Sequence, residues 1–355
     1  MGKRAREGPS FEVLVRLALP LLQEAERQCP RTGPGAKPKI RDWVIAALIM
    51  IAILGGRKTK SAQHRFLLGK RREIAGWLGT AEFPSRSGYF RRYRRSYKLY
   101  QAAVRLQGLQ AIKEGVLDPA QVSVDKSLVH ALGPPWHQRL RRIGKVPPGV
   151  DTEGAWGYSE HDGWVYGYSY EVVVSSTADS TVFPLLASAN VASACETQTS
   201  AEKIDDLSPE VRYVSADAGY DANHLGERIE YDEDGRKTGR RFLCPENPRN
   251  AGRPKKKPGG ADASRAKSRQ RRRERRKYLE SPKGHRLYAR RKETIEPFNQ
   301  WFKSLFELDD HVWHRGLSNN QTQFLAAIFA YQLLVRYNYR RGNNNGRLRW
   351  IIDRL

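Results

Sequence analysis

The hydrophobic period changes at Leu117-Asp118-Pro119, and this change constrains the fold more than any other feature. Before it, apolar residues recur three or four apart, the spacing of a helix with one buried face. Phe11, Val13, Leu14, Leu17, Leu19 and Leu22 predict an amphipathic helix over 10–30, ended by Cys29-Pro30 and the Gly/Pro/Lys-rich stretch 31–39. Residues 40–56 predict a buried helix closed by Gly55-Gly56, and 61–78 a basic one. The run PSRSGYFRRY at 84–93 opens a further helix with Ser85 or Ser87 as N-cap. After residue 118 short runs of β-formers take over. Residues 121–124 read as a strand stopping at Asp125, and 164–175 and 181–187 as two strands joined by Ala178-Asp179-Ser180. A helix at 199–207 follows, then a strand at 211–216 stopping at Asp217, a helix at 222–231 and a strand at 241–244. Strands and helices in this order imply an α/β unit with a mixed sheet. We therefore divide the chain into an all-helical N-terminal domain (1–118), an α/β domain (119–337) and a basic tail (338–355).

Charge makes the helical domain 1–118 the expected DNA-binding domain. With 63 Lys+Arg against 38 Asp+Glu the net charge is +25, which favours polyanions, nucleic acid first. Arg91, Arg92, Arg94 and Arg95 stand among Tyr89, Phe90, Tyr93, Tyr97 and Tyr100, an interleaving suited to a phosphate backbone. Residues 245–280 are poor in apolar side chains and dense in Lys and Arg, so we expect a flexible or only partly helical insertion that is held against DNA. Cys29, Cys195 and Cys244 lie far apart and form neither a metal-ligand pair nor a disulfide framework, which suits a reducing compartment. The apolar run 43–54 is too short to span a bilayer, and no membrane role is expected.

The stretch 286–308 predicts the helix on which the chemistry turns. Ile295, Phe298, Phe302 and Leu305 form its buried stripe, and Lys292, Glu296, Asn299 and Lys303 run beside them as a polar ridge. For a helix alone, that ridge is a solvated row of charge pairs. Asp125 and Asp217, each after a strand, change the reading, because sites form at the carboxyl edge of an open α/β sheet. Three carboxylates with no His or Cys partner suit Mg²⁺ or Mn²⁺. Two such ions about 4 Å apart would support in-line displacement at phosphorus.

Three blocks sharpen this: VSVDKS at 122–127, SADAGYD at 215–221 and YARRKETIEPFNQWFK at 288–303. Together they resemble the insertion-sequence DDE transposases, whose catalytic domain is ribonuclease H-like. The third block resembles the family's Tyr-Arg-Glu-Lys signature, with Glu296 followed seven residues later by Lys303. The signature's Tyr stands seven and its Arg four residues before the Glu; here Tyr288 stands eight, Arg291 five and Lys292 four before. WGYSEHDGWVYGYSYEVVV at 156–174 is similar to the family's second strand. The resemblance implies a ribonuclease H-like mixed sheet flanked by helices and preceded by the helical domain. It implies cleavage at transposon ends and 3′-hydroxyl strand transfer, with Asp125, Asp217 and Glu296 as catalytic residues and ligands of Mg²⁺ or Mn²⁺, two ions. Lys303, Arg291, Lys292, Tyr288, Arg91, Arg92 and Lys126 would contact DNA. The expected partners are transposon-end and target DNA and a second copy of the chain, in the cytoplasm at the nucleoid.

Other readings of the same residues are a metal-dependent nuclease without strand transfer, and a non-catalytic DNA-binding protein derived from a transposase. Asp221 is read as a helix cap or ion-pair partner, and Gly219 as a turn residue. Trp136, Trp156 and Trp164 are read as core, with one of them able to stack on a flipped base.

Overall fold

The computed structural model describes residues 9–30, 38–176, 181–248, 263–342 and 347–355. Six helices come first: α1 Phe11–Gln28, α2 Asp42–Leu54, α3 Lys60–Gly69, α4 Arg71–Leu78, α5 Arg86–Tyr93 and α6 Tyr97–Lys113. Local chemistry sets their starts. Ser10, Thr59 and Ser85 each accept a hydrogen bond from a backbone N–H three residues on, satisfying one of the orphan donors of the first turn. The single helix expected over 61–78 is two, interrupted at Lys70. α2 is buried from Val44 to Leu54 and forms the centre of the helical region.

The sheet is mixed. β1 (Gln121–His130) pairs antiparallel with β3 (Gly163–Ser176) and parallel with β5 (Tyr213–Ser215), which pairs parallel with β6 (Arg241–Leu243). The far edge of the long β3 is shared end to end by β2 (Ala155–Ser159) and β4 (Val182–Val191), both antiparallel. Three antiparallel strands followed by two parallel to the first is the ribonuclease H-like order, as the resemblance implies. β1 does not stop at Asp125: it runs five residues further, because 126–130 pair with Gly167–Glu171 of β3. Asp125 is therefore mid-strand. A short helix α7 (Gln138–Arg142) interrupts the loop before β2. The connection 177–180 between β3 and β4 lies outside the described residues.

Helices cover both faces. α8 (Glu196–Ile204) and α9 (Asn223–Glu230) pack on one. α11 (Pro282–Leu305) and α12 (Leu317–Arg340) pack on the other, and a last short helix, α13 (Leu348–Ile352), packs on α12. The second half of the basic stretch is a helix, α10 (Ala263–Glu280), and residues 249–262 lie outside the described residues. Acids from elsewhere hold α10 against the body: Arg272 pairs with Asp221, Arg275 with Glu230 and Arg276 with Glu246. Sequence density of like charge does not reveal partners that distant.

α11 begins at Ser281, whose Oγ accepts from Gly284 N at 3.1 Å, with Pro282 next. Ser281→Ala is expected to lower stability by about 1 kcal/mol, read as a shifted urea midpoint with an unchanged slope.

One hydrophobic core runs from α1 through α12 into the sheet. Buried polar contacts fasten it. Gln332 on α12 donates to Val104 O at 2.9 Å and to Pro184 O at 2.7 Å. Arg336 pairs with Glu114 at 2.6 Å. Burial works against ionisation of Glu114, yet the Arg336 and Arg340 guanidiniums pull its pKa down to about 2.

Candidate active site

α11 lies across β1 so that its buried stripe and half of its polar ridge meet the sheet. Ile295, Phe298 and Phe302 are fully buried. Thr294 Oγ1 donates to Ser123 Oγ at 2.9 Å, two residues before Asp125. The ridge divides: Asn299 and Lys303 reach the sheet, whereas Lys292 and Glu296 are exposed.

Asp125 is gripped from α11. Arg291 Nη2 donates to its Oδ1 at 3.2 Å and Asn299 Nδ2 to its Oδ2 at 3.0 Å. Asn299 is oriented in turn by the Tyr170 hydroxyl, which donates to Asn299 Oδ1 at 3.0 Å. Asp217 follows β5 and caps a single 3₁₀ turn, accepting from Gly219 N at 2.8 Å. The same Arg291 nitrogen stands 3.7 Å from Asp217 Oδ2, so one guanidinium bridges the two aspartates. Its Nε is buried with no hydrogen-bond partner among the described residues.

A further carboxylate, Glu196 in the first turn of α8, belongs to this cluster. It pairs with Lys126 at 3.0 Å. A Cβ on Gly219 would lie 2.7 Å from Glu196 Oε2 and 3.0 Å from Asp217 Oδ1. A larger residue would push both carboxylates aside, a second reason beside the turn for the Gly in SADAGYD. Burial pushes the pKa of Asp125 up to about 7; Arg291 opposes the rise, and Asp217 and Glu196 add to it. The three carboxylates Asp125, Asp217 and Glu196 are met here by two cations, Arg291 and Lys126.

These donors fit a hard divalent ion at Asp125 and Asp217: oxygen ligands, mutual repulsion and a half-hidden site. Among the described residues no group of three or more His, Cys, Asp or Glu side chains is placed to hold one ion. Glu296 makes no hydrogen bond or ion pair among the described residues; it sits on the exposed side of α11, one turn before Asn299. Of the cations expected to face DNA, Lys292 and Arg91 are exposed. Arg92 is committed to Asp42 and Lys126 to Glu196. Lys303 donates to Leu128 O at 3.1 Å, and burial lowers its pKa. Tyr288 is half-buried, and burial raises its pKa. Asp221 pairs with Arg272 and accepts from Asn247 N at 3.0 Å.

Sequence reasoning missed two members. Asn299 was visible as a ridge position one turn beyond Glu296. Glu196 carried no signal, since nothing in its neighbourhood announces an approach to Asp217.

A second network supports the Asp217 turn from the opposite face of β3. Tyr220 donates to Glu171 Oε2 at 3.1 Å, and Thr199 and Ser200 each donate to Glu171 at 2.9 Å. Lys203 pairs with the same carboxylate.

Among the described residues no helix is long and apolar enough to cross a membrane. No curated protein matches the chain. A solved structure described as a piggyBac transposase synaptic complex with hairpin DNA, determined by cryo-EM, is similar at 10% identity and a TM-score of 0.45, over 99% of this chain and 80% of that one. The family model described as the transposase DDE domain matches residues 117–333, well over half of the chain and the whole of the sheet, and the chain therefore belongs to the DDE-domain transposases.

Proposed function

We propose that the protein cleaves DNA at transposon ends and joins the freed 3′-hydroxyl to target DNA, with Asp125, Asp217 and Glu296 as its catalytic acids. The observation that carries the reading is the bridging of Asp125 and Asp217 by Arg291, beneath the helix that bears Glu296. Asp125 and Asp217, with Glu296, would hold Mg²⁺ or Mn²⁺, two ions. Bound divalent metal would supply Lewis-acid activation of water or of a 3′-hydroxyl. The family generally uses divalent metal ions.

The chain's own groups do the rest. Asn299 and Tyr170 fix the Asp125 carboxylate, which preserves its geometry for in-line attack. Lys303, with Arg291 or Lys292, would clamp a phosphate beside the cut. Arg91 and the exposed arginines of α10 would hold flanking DNA. Cutting two ends in concert calls for a homodimer on DNA.

The test is cleavage of labelled DNA carrying the native element ends, with Mg²⁺ or Mn²⁺ and with chelator. We expect metal-dependent nicks and joined products. Nicks without joining would leave a nuclease; tight binding without nicks would leave a DNA-binding protein. Glu296→Gln should lose both products. If it retains them while Glu196→Gln does not, the third acid is on α8. Lys303→Ala should weaken DNA binding at every sequence and reduce the slope of log affinity against log salt by about 1. An unchanged slope would remove Lys303 from the phosphate contacts.

A further inference from the structure

Arg291 uses little of what an arginine offers. A guanidinium carries several N–H donors in a planar fork. Among the described residues this one makes a single hydrogen bond, from Nη2 to Asp125 Oδ1 at 3.2 Å. The same nitrogen comes only to 3.7 Å from Asp217 Oδ2, and Nε is buried without a partner. Arg336 shows the contrast: three of its nitrogens donate, two to Glu114 and one to Gln107. The other grip on Asp125 is firmer too, since Asn299 donates to Oδ2 at 3.0 Å and is itself fixed by Tyr170. An unmet buried donor is costly, so charge, and not fit, keeps Arg291 across the aspartates.

Its place decides what that looseness does. Asp125 Oδ1 and Asp217 Oδ2 are both close to one nitrogen, so they face a common point. A divalent ion held by both aspartates needs the same two oxygens, and a cationic nitrogen beside them repels it. The Arg291 side chain is 13% exposed, and its neighbours Arg290 and Lys292 stand at the surface of α11. The long side chain therefore has a short way out to a phosphate laid along the helix. A phosphate accepts two parallel N–H bonds from a guanidinium, which the aspartates here do not.

We propose that Arg291 is a counter-ion with two stations. Across Asp125 and Asp217 it keeps divalent metal off; drawn to a DNA phosphate, it leaves both carboxylates to the metal. DNA and metal then each tighten the binding of the other, and by linkage the two factors are equal. The inference rests on the DNA-cleaving reading above, and it makes the protein without DNA a poor binder of metal.

The experiment measures Mn²⁺ bound by the full-length protein at pH 8, from the electron paramagnetic resonance of the free ion. It also measures the anisotropy of a duplex carrying a native element end, in Mn²⁺ and in chelator, before products form. Without DNA, Arg291→Gln should bind Mn²⁺ about tenfold more tightly than wild type, and Mn²⁺ should raise its melting temperature further. Arg290→Gln removes the same charge from the exposed face of α11 and should stay within about twofold of wild type. Mn²⁺ should improve duplex affinity about tenfold for wild type and far less for Arg291→Gln. If Arg291→Gln does not fold, Arg291→Lys is read instead: a shorter cation without the fork spans the two acids poorly and should gain about threefold in Mn²⁺ affinity. Equal Mn²⁺ affinity in wild type and Arg291→Gln, or a gain shared by Arg290→Gln, would overturn the proposal and leave metal-dependent cleavage intact. An equal effect of Mn²⁺ on duplex affinity in wild type and Arg291→Gln would overturn the second station. No Mn²⁺ bound by any of these proteins, with or without DNA, would overturn the metal reading as well.

Discussion

Replacing Asp125 by asparagine is expected to slow metal-dependent DNA cleavage by about 10³ or more, a barrier change of about 4 kcal/mol, while raising stability above pH 7. Both effects come from one placement. Asp125 is mid-strand under α11, with 18% of its side chain exposed, and burial pushes its pKa up to about 7. The unfolded value is near 3.8, so the folded state holds this proton more tightly. The contribution to stability is then fully present below about pH 4, falls as pH rises toward 7, and is gone above that. At pH 8 the ionised carboxylate costs at most on the order of 4 kcal/mol. Asparagine keeps the shape and can still accept from Arg291 without the charge, although its amide nitrogen then faces the Asn299 donor and gives back about 1 kcal/mol of the gain. Thermal melts of both proteins in chelator from pH 5 to pH 8.5 should therefore diverge with rising pH, the variant above wild type. If the variant melts lower at pH 8, loss of the Arg291 pair outweighs relief of burial, and the electrostatic account of the site is wrong. Asp217→Asn is the control. Its side chain is 44% exposed, so it should lose cleavage with no comparable gain in stability.

Lys203→Met is expected to destabilise the protein by about 3–5 kcal/mol, because it leaves a buried carboxylate without its cation. Lys203 and Glu171 are 5% and 3% exposed. Three hydroxyls, from Thr199, Ser200 and Tyr220, would remain on Glu171, too few to replace an ammonium. Adding Glu171→Leu should recover much of the loss, since an apolar pair of similar volume is often as stable as a buried ion pair. Urea unfolding of the two single variants and the double would give the coupling. A loss under about 1 kcal/mol for Lys203→Met would mean that Glu171 takes up a proton or finds water instead. Because Tyr220 is three residues past Asp217, slackening this network should also reduce cleavage beyond what the lost stability explains.

The sequence revealed what repeats locally and hid what meets at a distance. The stripe of α11 was readable because Ile295, Phe298 and Phe302 recur at helical spacing against one surface, and Asp125 and Asp217 because apolar runs precede them. The far end of β1 was not. Lys126 and Ser127 look like a turn, yet they continue the strand because Glu171 and Tyr170 stand opposite. Arg92 and Lys126 read as cations for DNA, but Asp42 and Glu196, each at least fifty residues away in sequence, already claim them. The division at residue 118 follows the change of hydrophobic period, but a shared core crosses it. α10 illustrates the same limit: its arginines suggest a solvated, mobile strip until Asp221, Glu230 and Glu246 are seen beneath it.

α12 is the helix that both halves of the molecule own. Thr322 donates to Tyr93 O at 2.8 Å, His314 just ahead of the helix contacts the Tyr93 hydroxyl at 3.1 Å, and Gln332 ties α6 to β4. A protein wired this way does not come apart into a helical module and a sheet module. Grafting a foreign helical region onto the sheet would strip α12 of half its neighbours, so relatives of this chain should acquire new recognition preferences by changing surface residues in place. The seam that would make them modular lies inside the core.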